Sequence, residues 1–435
     1  MNIGSDDPNR ETPTGTPSAG RGLEPAYWRH LRRRVEESLV SRGSSLSTLV
    51  RYCDGAYPTD VRTVLTELGH LGFENRRNST AQPAITKTAR VSSSTLPVVL
   101  PEPHPADYDW RFTTDATELL VNDILSFGKS TRIALFGAPT LFRELRLMGA
   151  DATLFDRNPR TIERLHQRWP TAALVQADLF SPVPCDVGVF DLVLADPPWY
   201  VDFFQAFVLR AAQALRDGGT LILSMLPWLT RPEAVRDRAA VLAFAVDAGF
   251  DLRDCRSGAI GYESPRFEQQ ALATQGIVCT QWRYGDLYWF RKTADPLPTL
   301  TLHRSELDYE WDTFEVGAQQ IKLKHERGLE RGKFTCRPVA KTGRVFDSVS
   351  RRAPSRRRID LWTSGNLAYA VTGAAVLPSV LLALQKGRNS VEVLERASRD
   401  FDLSQDETAM LQRLLDEIGV PENDDNSGSF ARGIK

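Results

Sequence analysis

The stretch Val189–Leu215, "VFDLVLADPPWYVDFFQAFVLRAAQAL", changes its periodicity in the middle. Its first part, "VFDLVLAD", is a near-continuous apolar run, the pattern of a strand covered on both faces. From Val201 the apolar residues recur at helical spacing. Between them stand Asp196, Pro197, Pro198, Trp199 and Tyr200. Proline cannot donate to a ladder, so the strand stops there. What remains is a rigid corner, polar and then aromatic, at a strand end.

The flanking chain repeats the alternation. "TRIALFG" reads as a strand and "TLFRELRLMG" as a helix closed by Gly149. "DATLFD" is a strand, and "PRTIERLHQRW" a helix with Pro159 in its first turn. "AALVQAD" is a short strand. After the corner and its helix, "GGTLILSML" is a strand, and "PEAVRDRAAVLAFAVDAGF" and "GDLYWFRK" complete the set. Such alternation predicts an α/β fold with a Rossmann-like, doubly wound parallel sheet over residues 108–293.

Ligands of these sheets bind beyond the carboxyl ends of the strands. Four ends can be read together: Gly137 in "LFGAPTLF", Asp156 in "TLFDRNP", Asp178 in "VQADLF" and Asp196 in "ADPPWY". A carboxylate after the second strand suits a ribose diol, and Asp156 follows the glycine turn by about 20 residues, as such an acid requires. Asp178 is placed to accept from an adenine amino group, with Leu179 or Phe180 against the ring.

This order of turn, ribose acid, adenine acid and "DPPW" resembles the class I S-adenosylmethionine-dependent methyltransferases. The tetrapeptide is similar to that of amino-methyltransferases, including adenine-N(6) enzymes. The resemblance covers residues 108–293. It implies S-adenosyl-L-methionine as cofactor, bound by Gly137, Asp156, Asp178 and Leu179. It implies catalysis at Asp196, Pro197, Pro198 and Trp199, with Trp199 and Tyr200 binding the substrate. A conjugated amine is a poor nucleophile, because its lone pair is delocalised. Asp196 and a proline carbonyl can accept its N–H bonds and aim the lone pair at the sulfonium methyl. Trp199 offers a stacking face. The expected activity is N-methylation of an exocyclic nucleobase amine, adenine, in nucleic acid. The alternatives are a protein, peptide or small-molecule acceptor, or a binding protein that has lost catalysis. No metal is called for.

The first turn departs from the family pattern in keeping only Gly137, with Pro139 removing one backbone donor. The layout also resembles the branched-chain polyamine synthases. Their acidic run after the first strand would align with "GAPTL", and its absence argues against a polycationic substrate.

The flanks carry fewer signals. Residues 1–24 and 421–435 read as polar disordered tails. Over 25–75, "SSLSTLVRYC", the turn "DGAYP" and "TDVRTVLTELGHLG" outline a helix-turn-helix, winged-helix-like, with Thr59 as N-cap. Arg32, Arg33, Arg34, Arg51 and Arg62 make it locally basic. Residues 76–107 form a proline-rich linker, and a helix restarts at Thr113 or Thr114. His104 and His166 read as surface residues. "YESPRFE", 262–268, is either a loop over the substrate or a plain polar loop. Residues 294–420 are mixed and then mostly helical, with Ser390 and Ser404 as N-caps and Glu407 completing a capping box. The last helices, 378–419, resemble PqqD-like peptide-binding modules, which makes a peptide or protein a candidate partner.

Composition sets the outer limits. In 435 residues the charged fraction is 25%, the apolar fraction 42% and the net charge −1, so no global field draws the chain to nucleic acid. Nucleic-acid contact must be local, through the N-terminal arginines or the run Arg351–Arg358. Cys53, Cys185, Cys255, Cys279 and Cys336 are scattered singly, which argues against a zinc site or a disulfide framework. No secretory signal is visible, and the apolar stretch Ala368–Leu384 is broken by Pro378, so it reads as core and not membrane. A cytoplasmic location is expected.

Overall fold

The computed structural model describes residues 23–43, 45–70, 100–182, 189–297, 299–305, 309–340 and 345–419. Most of the two expected tails, linker residues 76–99 and Cys185 lie outside them. Residues 23 and 24, expected in the first tail, open a helix, Leu23–Arg42.

Eight strands form the principal sheet: β1 (Arg111–Phe112), β2 (Ile133–Phe136), β3 (Ala152–Asp156), β4 (Leu174–Gln176), β5 (Phe190–Ala195), β6 (Leu215–Met225), β7 (Phe250–Glu263) and β8 (Tyr284–Lys292). Their order is β1-β7-β8-β6-β5-β2-β3-β4. The ladders β4-β3-β2-β5-β6 are parallel, and β8, β7 and β1 add on antiparallel. Chain order reverses between β2 and β5. A crevice opens at such a switch point, which fixes where a ligand site belongs.

Burial explains the central strands. All four residues of β2 are buried, as expected with a strand on either side and helices on both faces. The helix after the corner, Val201–Ala214, buries ten of its side chains, from Phe203 to Ala214. Thr113 caps the helix Thr114–Leu125, its side chain accepting from the Ala116 N–H.

The N-terminal helices Leu23–Arg42, Leu46–Val50 and Pro58–Glu67 share a core with Leu229, Leu272, Ile277 and Trp282 of the sheet domain. The third begins at Pro58, with Tyr57 and not Thr59 at the N-cap. Proline's fixed φ suits a first helical position. A wing would fall within 71–99, outside the described residues.

The C-terminal region, expected to be mostly helical, carries a second sheet. Strands β9 (Trp311–Val316), β10 (Gln319–Lys324), β11 (Thr335–Pro338), β12 (Leu361–Thr363) and β13 (Ala368–Thr372) form it. They are antiparallel in the order β11-β13-β12-β10-β9. They are short and two long connections separate them, so their alternation is weak in the sequence. Helices Leu377–Gln385, Ser390–Asp400 and Gln405–Glu417 follow and complete this core. The Ser404–Glu407 capping box is present. At the preceding helix, Asn389 and not Ser390 is the cap, its side chain accepting from the N–H groups of Val391 and Glu392. Among the described residues no helix is long and apolar enough to cross a membrane.

His104, read as a surface residue, is wholly buried. Its Nε2 lies 2.9 Å from the Trp362 carbonyl oxygen and its Nδ1 accepts from the Ala106 N–H. Burial, with Lys322 nearby, pushes its pKa down to about 3, so it is neutral. The contact joins residues 100–107 to the second sheet. A pairing across 258 positions leaves no local mark in the sequence.

Candidate active site

Gly137 leaves β2 with φ +71°. A Cβ there would lie 3.3 Å from the Asp196 carbonyl oxygen and 3.5 Å from the Phe207 ring. Glycine therefore meets two demands, a left-handed turn and a close approach to the neighbouring corner. The pairing continues past the strand ends, because Gly137 N–H donates to the Phe155 carbonyl and Asp196 N–H to that of Phe136. The ends of β2, β3 and β5 are thereby held level.

Asp156 closes β3. Its Oδ1 accepts from the Asn158 N–H at 2.8 Å, while the Asn158 side chain caps the helix that follows. Burial is the main force lifting the Asp156 pKa, to about 7, and Asp109 and Asp107 add to it. A carboxyl so poorly solvated is a strong acceptor for ligand hydroxyls.

Asp178 follows β4, its Oδ1 accepting from the Phe180 N–H at 3.1 Å. The Arg304 guanidinium reaches its Oδ2 and covers the Phe180 ring at 4.5 Å. Leu179 is buried. Arg210 fixes this turn by donating to the carbonyls of Leu179 (3.0 Å) and Phe180 (2.9 Å).

Asp196 sits at the corner itself. Tyr262 from the end of β7 and Ser224 from β6 both donate to Oδ1, Tyr262 at 2.7 Å. Burial raises the Asp196 pKa to about 6, against the two hydroxyl hydrogen bonds and the Arg283 charge, which lower it. Among the described residues both donors to this carboxyl take Oδ1, which leaves Oδ2 for a ligand N–H.

Trp199 is buried, edge-on to Tyr262 at 5.7 Å. The Arg283 guanidinium covers one of its faces at 3.8 Å and lies 4.3 Å from the Trp110 ring. Tyr200 faces the C-terminal region, where Arg351 covers its ring at 4.1 Å and donates its backbone N–H to the Tyr200 hydroxyl oxygen.

Gly137, Asp156, Asp178, Leu179, Asp196, Pro197, Pro198 and Trp199 line one cleft. All nine site residues of the sequence reading meet there except Tyr200, which lines the adjoining chamber instead. Tyr108, Trp110, Pro198, Trp199 and Arg283 line both spaces. The cleft carries Asp107, Asp109, Asp156, Asp178 and Asp196 with Arg157 and Arg283, while Lys322, Arg111 and Arg304 pair with Asp107, Asp109 and Asp178. Among the described residues no group of His, Cys, Asp and Glu is arranged to hold a metal ion.

Sequence reasoning missed Tyr262, Ser224, Arg283, Arg210, Trp110 and Glu268. The one usable signal was "YESPRFE". Tyr262 from it touches Asp196, and Phe267 and Glu268 line the chamber.

The basic run is largely engaged within the fold. Arg351 makes a bidentate pair with Asp202 at 2.7 and 2.7 Å. Arg352 pairs with Glu233 and Asp237, and Arg356 is buried between Tyr108 and Trp362. Arg357 and Arg358 are exposed. In the N-terminal helices Arg32, Arg33 and Arg34 pair with Glu36, Glu37 and Asp54.

No protein-family model and no curated protein matches the chain. Solved structures do resemble it. A C9 mutein of the branched-chain polyamine synthase from Thermus thermophilus, solved with N4-aminopropylspermidine and 5'-methylthioadenosine, is 18% identical with a TM-score of 0.50, covering 66% of this chain and 94% of that one. The synthase without those changes is 18% identical with a TM-score of 0.45, covering 64% and 96%. The N-methyltransferase NodS from Bradyrhizobium japonicum is 15% identical with a TM-score of 0.28, covering 41% and 86%. At 18% identity the likeness to the mutein speaks for the fold alone, a Rossmann-like α/β fold.

Proposed function

We propose that the chain is an S-adenosylmethionine-dependent N-methyltransferase. The observation that carries this reading is the Asp196 carboxyl, fixed by Tyr262 and Ser224 on one oxygen, at the carboxyl end of β5 beside the Gly137 turn.

The cleft suits the cofactor. The glycine at position 137 lets a ligand approach the backbone. Asp156 would accept the ribose hydroxyls and Asp178 an adenine amino group, with Leu179 against the ring. Bound S-adenosylmethionine supplies an electrophilic methyl on a sulfonium. Asp196 and the carbonyl of Pro197 accept N–H bonds from the acceptor amine and turn its lone pair toward that methyl. The new C–N bond would form as the methyl's bond to the sulfonium sulfur breaks, the electron pair returning to sulfur to leave neutral S-adenosylhomocysteine, and the nitrogen would shed a proton. Asp196, with its pKa near 6, receives it and passes it to solvent. Trp199 and Arg283 support the acceptor's approach from the chamber.

The adenine amine of a nucleic acid meets the demands of this corner, and the DPPW tetrapeptide is its support. A free small molecule or a peptide amine is the second reading. The engagement of Arg351 with Asp202 and the burial of Arg356 favour it, because these two cations of the basic run are not available to phosphates. The C-terminal helices remain a candidate peptide surface.

Methyl-labelled S-adenosylmethionine tests the reading. Supplied with adenine-containing oligonucleotides in one arm and a panel of small amines and peptides in the other, the protein should place the label on nitrogen in one of them. The Asp196→Ala variant should place none. Label transfer to oxygen or carbon, or an unimpaired Asp196→Ala variant, would refute it.

A further inference from the structure

The chamber beside the cleft holds a buried carboxylate that the reading above does not use. Glu268 stands in the first turn of the helix Arg266–Ala273 and is 1% exposed. Among the described residues neither of its oxygens has a hydrogen-bond partner of ordinary geometry, although the Tyr57 hydroxyl stands close enough to act on it as a donor. A buried carboxylate left unpaired is costly, so folds rarely retain one without a ligand to satisfy it.

Its surroundings are aromatic. Tyr57 meets Trp282 edge-on at 5.2 Å, Trp282 meets Trp110 at 5.7 Å, and Trp110 meets Phe267 at 6.3 Å. Walls of this kind attract a cation and accept a flat one between their faces. Arg283 shows what such a slot holds, since its guanidinium lies against both Trp110 and Trp199. It does not satisfy Glu268, with which it forms no ion pair among the described residues. Its charge nevertheless acts on Glu268 and favours the ionised carboxylate.

We infer that Glu268 anchors the acceptor by a planar, singly charged N–H group, an amidinium or a protonated amino-heterocycle, held by two parallel hydrogen bonds between aromatic walls. This rests on the methyl-transfer reading in taking the chamber's occupant to be the acceptor. A carboxylate is the partner that matches a forked N–H pair. Burial lifts the Glu268 pKa to about 7 against the effects of Tyr57 and Arg283. A bound cation would hold the group ionised. The five residues shared with the cleft give the anchored molecule a direct path to Asp196.

Benzamidine is the probe, and neutral, isosteric benzamide the control. Calorimetry at pH 8 on the full-length protein should show benzamidine binding at least tenfold tighter than benzamide. Glu268→Gln should lose about tenfold in benzamidine affinity, keep its S-adenosylmethionine affinity, and melt no lower than wild type. Glu268→Asp, which keeps the charge on a shorter arm, should bind benzamidine better than Glu268→Gln does. Equal affinity for benzamidine and benzamide, no benzamidine binding to wild type, or unchanged binding by Glu268→Gln would each overturn the assignment. If S-adenosylmethionine still binds in those cases, the methyl-transfer reading survives the loss. If the cofactor does not bind wild type, that reading falls, and with it the description of the chamber as an acceptor site.

Discussion

Tyr262 donates its phenolic O–H to Asp196 Oδ1 at 2.7 Å, across 66 positions of the chain. This bond and its Ser224 companion stabilise the charged carboxylate that burial opposes. Removing one donor should therefore move the Asp196 pKa upward from about 6. Wild-type turnover should rise with pH through about 6, as the carboxylate forms, and Tyr262→Phe should displace that limb to higher pH. Hydrogen bonds to charged groups are worth about 1.5–3 kcal/mol, so turnover at neutral pH should fall about tenfold. Steady-state pH–rate profiles check both effects. An acid limb at the same pH in the two proteins would dissociate Asp196 from the rate.

Asp156 has a folded-state pKa near 7, against about 4 in an unfolded chain. Between those values the native state holds a proton that the unfolded state has released. The stability contribution of Asp156 is therefore lost as pH rises from about 4 to 7, where the native carboxyl is at last ionised at its full burial cost. Asp156→Asn should stabilise the ligand-free protein, more at pH 8 than at pH 4.5. Thermal melts at the two pH values measure the difference, and an equal shift at both would contradict the assignment.

Arg304 occupies the Asp178 oxygen that an adenine amino group would need. Both side chains are about a third exposed, so the pair is weak and easily displaced. Arg304→Ala should raise cofactor affinity a few-fold with no loss of thermal stability. A lower affinity would mean that Arg304 contributes to the ligand site instead of competing for it.

Arg351 and Asp202 form a bidentate pair with side chains only 10% and 12% exposed. Removing one partner strands a buried charge, which costs about 3–5 kcal/mol. Denaturant titration of Arg351→Ala should show a loss of that size. Adding Asp202→Asn should recover part of it, since the stranded carboxylate is then gone. A single-variant loss below about 1 kcal/mol would show the pair to be solvated.

Much of this was legible in the sequence, for reasons visible in particular residues. β2 and β5 are buried on both faces, so "IALF" is apolar without interruption and "FDLVLA" is interrupted only at the half-buried Asp191. The strand ends fall where Gly137, Asp156 and the prolines put them, and these are local signals. β7 was harder to read. Residues 251–258 in it are exposed, so the strand shows little apolar alternation before Ile260, and Tyr262 came into view only as part of a loop. Arg283 and Ser224 act through partners distant in the chain, and nothing near them announces it. The run Arg351–Arg358 illustrates the converse. Its charge is plain in the sequence, but the carboxylates that neutralise it, Asp202, Glu233 and Asp237, lie over a hundred positions away.

The central claim is that the cleft at the ends of β2, β3 and β5 binds S-adenosylmethionine and presents Asp196 to an amine. Calorimetric titration of the cofactor into wild type, Asp156→Ala and Asp196→Ala tests it most directly. The account predicts saturable binding to wild type. Asp156→Ala should weaken it at least tenfold, because two hydrogen bonds worth about 1.5–3 kcal/mol each are lost. Asp196→Ala should bind almost as wild type does, since its contacts belong to the acceptor. Absence of binding to wild type, or equal affinity in the Asp156→Ala variant, would contradict it.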